Sequence, residues 1–128
     1  MQHRAKKPCR VLVVDDDIDN ARMLRWLLHE SGHEVEYAIN GIAAVATANR
    51  FRPQVVLLDL KLPDGHGADV ARQLRANPEL RTVRIVAITA SKQQFDHARA
   101  VAAGCDETLV KPVHVSQIEA LIEREMGG

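Results

Sequence analysis

The sequence predicts an α/β fold, a doubly wound sheet of five parallel strands in a three-layer (βα)5 sandwich. Strand-like and helix-like segments alternate five times along the 128 residues, as in βα units joined by right-handed crossovers. The first, third and fourth strand-like runs are almost continuously apolar, as expected of parallel strands that are buried on both faces. Four of the five runs end in polar or charged residues, which such a sheet gathers at one edge.

The predicted strands span residues 10–14, 34–38, 54–58, 84–88 and 106–110, and the predicted helices span 19–31, 41–50, 67–76, 92–103 and 115–126. In the first helix, Ala21, Leu24 and Leu28 recur at helical spacing, and Gly32 suits the position after its end. The second strand alternates polar and apolar residues, which suits the edge of a sheet. All five prolines fall outside these elements.

The fourth helix is predicted from a weaker pattern. Ser91 is its predicted N-cap, and its predicted inward face consists of Phe95, Ala98, Val101 and Ala102.

The short apolar first strand suits the centre of the sheet, which favours the flavodoxin-like strand order 2-1-3-4-5. In that order the first and third strands meet at the switch point, where the residues that follow them face each other. Residues 1–9 are predicted to form a flexible basic arm, and residues 10–126 are predicted to form one folded domain.

Composition excludes several classes of protein. The 17 basic and 17 acidic residues cancel, so bulk charge does not indicate direct binding to nucleic acid. No apolar run approaches the roughly 20 residues that span a membrane, and the N-terminus lacks the apolar region of a secretory signal. Cys9 and Cys105 precede strands that are too far apart for a disulfide. Free buried thiols and a cytoplasmic location are therefore expected.

Three adjacent carboxylates follow the first strand. Asp15 and Asp16 come directly after a buried strand, where carboxylates repel one another unless a cation compensates. We expect these two to bind Mg²⁺, which takes one or two protein carboxylates together with water and phosphate oxygens. Asp17 or Asp19 is instead expected to cap the next helix.

Asp59 ends the buried third strand, where a carboxylate costs free energy unless it is paired or used. Aspartate can form an acyl phosphate, so Asp59 is the candidate nucleophile as well as a metal ligand. The following loop, LKLPDGHG, turns sharply, and the main-chain carbonyl of Lys61 is a candidate further metal ligand. His66 in this loop and His114 after the last strand are expected to be solvated.

Thr89 and Lys111 end the fourth and fifth strands. The Thr89 hydroxyl is expected to bond a phosphate oxygen, and the Lys111 ammonium is expected to stabilise the charge of a transferring phosphoryl group.

These segments together resemble the receiver domain of two-component response regulators, from about residue 10 to 126. The resemblance is carried by the acidic pair after strand one, DLKLPDGHG at strand three, ITAS at strand four and LVKPV at strand five. It implies a phosphoacceptor switch in which Asp59 receives a phosphoryl group from a phosphohistidine. The donor would be a sensor histidine kinase or a histidine phosphotransfer protein.

The resemblance also implies details of the site and the output. Asp16, Asp59 and the Lys61 carbonyl would bind Mg²⁺, with Asp15 acting mainly through water, and the Lys111–Pro112 peptide would be cis. A downstream protein would contact the face formed by helix four, strand five and helix five. Such a domain assists its own phosphorylation and dephosphorylation but is not otherwise an enzyme. Thr108 stands where many receivers carry an aromatic switch residue, which leaves the output mechanism open.

Three alternatives remain at this stage. A small aspartate-nucleophile phosphatase would use similar residues, but such enzymes usually carry a second aspartate where this chain has Lys61. A flavin- or nucleotide-binding domain would need a glycine-rich loop after the first strand, which is absent from the sequence. A receiver-like scaffold that is never phosphorylated would not need the complete set of acidic, hydroxyl and lysine residues.

Overall fold

A computed structural model describes residues 7–90 and 94–126. Its main sheet has five parallel strands in the order β2-β1-β3-β4-β5, which confirms the predicted doubly wound arrangement. The strands are β1 (Arg10–Val14), β2 (Glu34–Ala38), β3 (Val55–Asp59), β4 (Arg84–Thr89) and β5 (Glu107–Val110). Their bounds lie within about one residue of the sequence prediction.

The helices are α1 (Ile18–Glu30), α2 (Gly41–Phe51), α3 (Gly67–Ala76), α4 (Gln94–Ala102) and α5 (Val115–Glu125). Helices α1 and α5 cover one face of the sheet, and α2, α3 and α4 cover the other. Two short elements were not predicted. One is an antiparallel hairpin that pairs Lys61–Leu62 with Gly65–His66, and the other is a 3₁₀ turn at Pro78–Leu80.

The central strands are buried on both sides, as their apolar runs predict. Along β1, Val11 and Val13 point into the cluster under α1 and α5, whereas Leu12 and Val14 point into the cluster under α2, α3 and α4. Burying each such side chain contributes roughly 1.5–3 kcal/mol. These contacts fix the position of the strand ends, where the polar residues lie.

The predicted inward face of α4 is wrong. Ala98 and Ala102 are exposed and Val101 is 52% exposed, whereas Ala100 and Ala103 are buried against the sheet. The segment from residue 98 to residue 103 consists of small apolar residues around one arginine, so its pattern does not single out one face. The predicted N-cap Ser91 and the side chain of Phe95 lie outside the described residues.

The described part of the N-terminal segment begins at Lys7, so most of the predicted arm lies outside the described residues. Cys9 is buried, and its backbone N–H donates to His33 Nδ1 at 3.0 Å. Cys9 and Cys105 are free and buried, as predicted, and burial raises the pKa of each thiol to about 11. Among the described residues, no helix combines the length and apolar character needed to cross a membrane.

Gly67 allows α3 to begin directly against the end of β3. A Cβ atom at Gly67 would lie 2.4 Å from the backbone oxygen of Asp59 and 2.8 Å from Cα of Leu60. Both are main-chain atoms that cannot move aside without displacing the end of β3. The close approach therefore requires glycine at this position.

Gly67→Ala is expected to lower the free energy of unfolding by about 3 kcal/mol, the upper end of the usual cost of overpacking. Urea denaturation measures this change. Ala46→Gly is the control, because it also changes one methyl group but at an exposed position of α2, where helix propensity alone costs about 1 kcal/mol. Equal losses in the two variants would contradict the close approach.

Candidate functional site

The polar residues that end the strands meet at one edge of the sheet. Asp15 follows β1, Asp59 ends β3, Thr89 ends β4 and Lys111 follows β5. The backbone N–H of Lys111 donates to the Thr89 carbonyl at 2.8 Å, which joins the ends of β4 and β5. The Lys111–Pro112 peptide is cis, as the family resemblance implied.

Three carboxylates form a cluster at this edge. Asp15, Asp16 and Asp59 each place an oxygen within 4.8 Å of the others. Asp15 and Asp59 are buried, whereas Asp16 is exposed. The Asp15 carboxylate accepts hydrogen bonds from the Asp17 N–H at 2.9 Å and from Asn20 Nδ2 at 2.6 Å.

Both oxygens of Asp59 are hydrogen-bonded. Oδ1 accepts from the backbone N–H of Lys61 at 3.0 Å, and Oδ2 accepts from Lys111 Nζ at 2.8 Å. The Lys61 bond folds the residues after β3 back onto the Asp59 side chain. The Lys111 bond places a positive charge beside the buried carboxylate.

Among the residues that the structure describes, the cluster carries more negative than positive charge. Two unit charges 4.8 Å apart repel by about 1 kcal/mol in water and by about 3–4 kcal/mol at an effective dielectric constant of about 20. Three carboxylates and the Lys111 ammonium leave two negative charges in excess. A single divalent cation would neutralise this excess.

Lys111 is held in its charged form by the acidic residues. Burial alone lowers its pKa, but the hydrogen bond and charge interaction with Asp59, together with the charges of Asp15 and Asp16, raise the pKa above its ordinary value. The side chain therefore carries a positive charge at neutral pH.

A cleft of about 560 Å³ opens beside the cluster. It is lined by Asp16, Asp59, Leu60, Lys61, Gly65, His66, Thr89, Ala90, Asp96 and Lys111. Thr89, at the end of β4, is buried, with 7% of its surface exposed. The cleft thus combines carboxylates, a hydroxyl and an ammonium group, the set that the sequence predicted to converge.

The surroundings of the cluster differ from the sequence prediction at Asn20 and His66 and agree with it at His114 and Asp17. Asn20 contacts Asp15 from the first turn of α1, and the sequence offers no motif that would have singled it out. His66 was expected to be solvated, but it is partly buried and its Nδ1 accepts the Ala68 N–H at 3.0 Å, capping α3. His114 is exposed, as expected. Asp17 caps α1 by accepting the N–H groups of Asp19 and Asn20, as predicted.

The donor atoms of the cluster suit magnesium. Mg²⁺ prefers oxygen ligands, usually one or two carboxylates with water completing the shell. Asp16 is exposed and accessible to water, and Asp59 lies beside it at the floor of the cleft. The oxygen ligands and the excess negative charge both fit this ion.

Comparison with known proteins agrees with this geometry. Residues 11–123 match the family described as the response regulator receiver domain. The chain belongs to this family. The polar-differentiation response regulator DivK of Brucella anthropi is 32% identical over 120 residues, which cover 94% of this chain and 98% of DivK. DivK of Brucella ovis is 30% identical over 117 residues, which cover 91% of this chain and 95% of that protein.

Solved receiver structures have the same fold as this receiver domain. The receiver domain of the sensor histidine kinase PA1611 from Pseudomonas aeruginosa has a TM-score of 0.85 and 30% identity, covering 95% of this chain and all of that one (100%). That structure holds a magnesium ion in its active site cleft. The chemotaxis protein CheY4 of Vibrio cholerae has a TM-score of 0.86 and 27% identity, covering 92% of this chain and 98% of that one.

Asp16→Asn is expected to stabilise the metal-free receiver domain by about 1 kcal/mol, because it removes one of three mutually repelling charges at an exposed position. Denaturation in the presence of a chelator measures this change. Asp19→Asn is the control, since Asp19 is an exposed aspartate of α1 outside the cluster. A lower stability of Asp16→Asn than of the control would contradict net repulsion.

Lys111→Met is expected to be less stable than the wild type at neutral pH, and this difference should shrink in alkali. Because the folded-state pKa of Lys111 is raised, the contribution of its charge is fully present below the ordinary value of 10.5 and is lost as the pH rises through the higher folded-state value. The difference in unfolding free energy between the two proteins, followed from neutral pH to beyond 10.5, tests this sign. A constant difference would contradict it.

Proposed function

We propose that this receiver domain accepts a phosphoryl group on Asp59 from a phosphohistidine of a sensor histidine kinase or a histidine phosphotransfer protein. The observation that carries the proposal is the position of Asp59, a buried carboxylate between an acidic cluster and the Lys111 ammonium. A buried carboxylate in contact with an ammonium group and open to a cleft is suited to both nucleophilic attack and charge stabilisation.

In the transfer, an oxygen of Asp59 attacks phosphorus and the bond from phosphorus to the imidazole nitrogen breaks. The imidazole keeps the electron pair of that bond, and Asp59 becomes an acyl phosphate. Lys111 moves its hydrogen bond from the carboxylate to a phosphoryl oxygen, and the Thr89 hydroxyl donates to another. The backbone N–H of Lys61 holds Asp59 in place for the attack.

Asp16, Asp59 and the main-chain carbonyl of Lys61 would hold Mg²⁺, and Asp15 would act mainly through water. A bound Mg²⁺ supplies positive charge to the acidic cluster and to the phosphoryl oxygens. The excess of two negative charges at the site and the magnesium ion in the related Pseudomonas receiver support this assignment.

We propose that the signal leaves through the face formed by α4, β5 and α5. Val101 on α4 is 52% exposed and Val110 on β5 is 36% exposed, so this face offers apolar area to a protein partner. Thr108 lies two residues before Val110 on β5 and pairs with Ala87, so it is on the same face of the sheet as Thr89. Its hydroxyl oxygen is buried without a hydrogen-bond partner among the described residues. A small side chain here implies that movement of Thr89 is transmitted by shifts of β5 and α4 rather than by rotation of a ring.

The remaining predictions belong to the same proposal. The domain spans residues 10–126, acts in the cytoplasm, does not bind nucleic acid directly and has no enzymatic activity beyond its own phosphorylation and dephosphorylation. A phosphatase is less well supported, because the residue two positions after Asp59 is Lys61 and offers no carboxyl group as a general acid.

Incubation with acetyl phosphate and Mg²⁺ is expected to add one phosphoryl group to the wild-type protein, as measured by intact mass. Hydroxylamine should remove the group, because an acyl phosphate is sensitive to this nucleophile. Asp59→Asn should abolish labelling, since an amide cannot attack phosphorus. Asp69→Asn, at an exposed aspartate of α3, is the control and should be labelled normally.

Unchanged labelling of Asp59→Asn would remove Asp59 from its proposed role. Absence of labelling in the wild type, with both acetyl phosphate and a phosphorylated histidine donor, would favour a scaffold that is not phosphorylated. Sustained hydrolysis of a phosphomonoester would favour the phosphatase.

A further inference from the structure

The side chain of Asp64 joins the hairpin that follows β3 to the first turn of α2. It lies at the tip of the short hairpin, between Leu62 and Gly65. Its Oδ1 accepts the backbone N–H of Gly41 at 2.8 Å, and its Oδ2 accepts that of Ile42 at 3.0 Å. These are the first two N–H groups of α2, which have no partner within the helix.

The first turn of α2 is therefore capped from two sources. Asn40 Oδ1 accepts the third N–H group, that of Ala43, at 2.7 Å. Asn40 is the local N-cap, whereas Asp64 comes from 22 to 23 residues away. A carboxylate at this position also interacts favourably with the helix dipole, and the two backbone hydrogen bonds lower the pKa of Asp64.

The base of the hairpin is held separately by the sheet. The N–H of Leu60 donates to the Ile88 carbonyl at 3.0 Å, and the N–H of Gly67 donates to the Leu60 carbonyl at 2.8 Å. Leu62 is buried in the core beneath α2 and α3. Lys61 thus lies in a segment that is anchored at its base by β4 and at its tip by α2.

The same helix end is joined to the aspartates after β1. The N–H of Asp15 donates to the Ala38 carbonyl at 3.0 Å, at the end of β2 and two residues before Asn40. The Asp15–Ala38 hydrogen bond, the chain from Ala38 to Gly41 and the hydrogen bonds to Asp64 therefore connect the segment after β1 with the hairpin. This path joins the two chain segments that carry the proposed Mg²⁺ ligands.

We infer that Asp64 is a positioning residue that holds the Lys61 segment in register with the Asp15–Asp16 segment, so that their oxygen ligands are preorganised for Mg²⁺. The inference rests on the proposed function, since it concerns the same metal site. Asp64 is not one of the proposed Mg²⁺ ligands and does not line the cleft beside the cluster. It acts through its hydrogen bonds to the first turn of α2.

Asp64→Ala is expected to weaken Mg²⁺ binding on the order of tenfold, the lower end of the usual effect of residues that orient metal ligands. In the metal-free protein it should also accelerate hydrogen exchange of the Gly41 and Ile42 amides and of the hairpin amides. NMR measures both quantities. Glu79→Ala is the control, because it removes an exposed carboxylate that pairs with Arg52 at the opposite end of the sheet.

Two further variants distinguish the loss of the hydrogen bonds between Asp64 and α2 from the loss of a nearby negative charge. Asp64→Asn loses the charge but keeps one oxygen acceptor, so its Mg²⁺ affinity should fall between those of the wild type and Asp64→Ala. Gly41→Ala keeps the charge, but its Cβ would lie 3.2 Å from Asp64 Oδ1 and 3.1 Å from Val70 Cγ2. Gly41→Ala should weaken the hydrogen bonds between Asp64 and α2, and it should therefore weaken Mg²⁺ binding, as Asp64→Ala does.

Wild-type affinity in Asp64→Ala would overturn the inference, as would a loss in Asp64→Asn as large as in Asp64→Ala with none in Gly41→Ala. The latter result would assign the whole effect to charge. Failure of the wild type itself to bind Mg²⁺ would instead overturn the proposed function, so the two failures are distinguishable.

Discussion

Repulsion between Asp15, Asp16 and Asp59 is the interaction on which the site depends. The parallel sheet brings the ends of β1 and β3 side by side, so the fold itself holds these carboxylates together. Within the described residues, the cluster contacts one ammonium group, that of Lys111. The folded state therefore maintains an unfavourable charge arrangement whose free energy falls when a cation binds. Stored repulsion of this kind makes the site responsive to small ligands.

The backbone and side chain of Asp59 are held by contacts from several parts of the fold. The start of α3 packs against the Asp59 carbonyl at Gly67, and the Lys61 N–H holds one carboxylate oxygen. Lys111 holds the other oxygen from β5, two strands away in the sheet. These contacts come from different parts of the fold. A chemical change at Asp59 therefore alters contacts with the start of α3, with Lys61 and with Lys111 after β5. A change at Asp59 is therefore coupled to the packing of α3 and to the position of Lys111 after β5.

The strands, and the meeting of the polar residues at their carboxyl ends, were predictable from sequence because their signals are strong. Buried parallel strands leave continuous apolar runs, and the polar residues that end them must meet at one edge. The face of α4 was not predictable, because Ala98 to Ala103 are nearly all small and apolar. Asn20 and Asp64 were also missed. Each contributes one hydrogen-bonding side chain whose partner is set by tertiary structure, and an isolated Asn at the start of a helix or an isolated Asp in a turn has many possible local roles.

The burial of Cys9 and Cys105 limits how readily their thiols react with oxidants. With thiol pKa values of about 11, roughly one molecule in ten thousand carries the reactive thiolate at either position at neutral pH. Both sulfurs are also enclosed by the core. Peroxide and disulfide reagents, which react with the thiolate, should therefore react slowly with either cysteine while the protein is folded. The low reactivity of both thiols is thus a consequence of their burial.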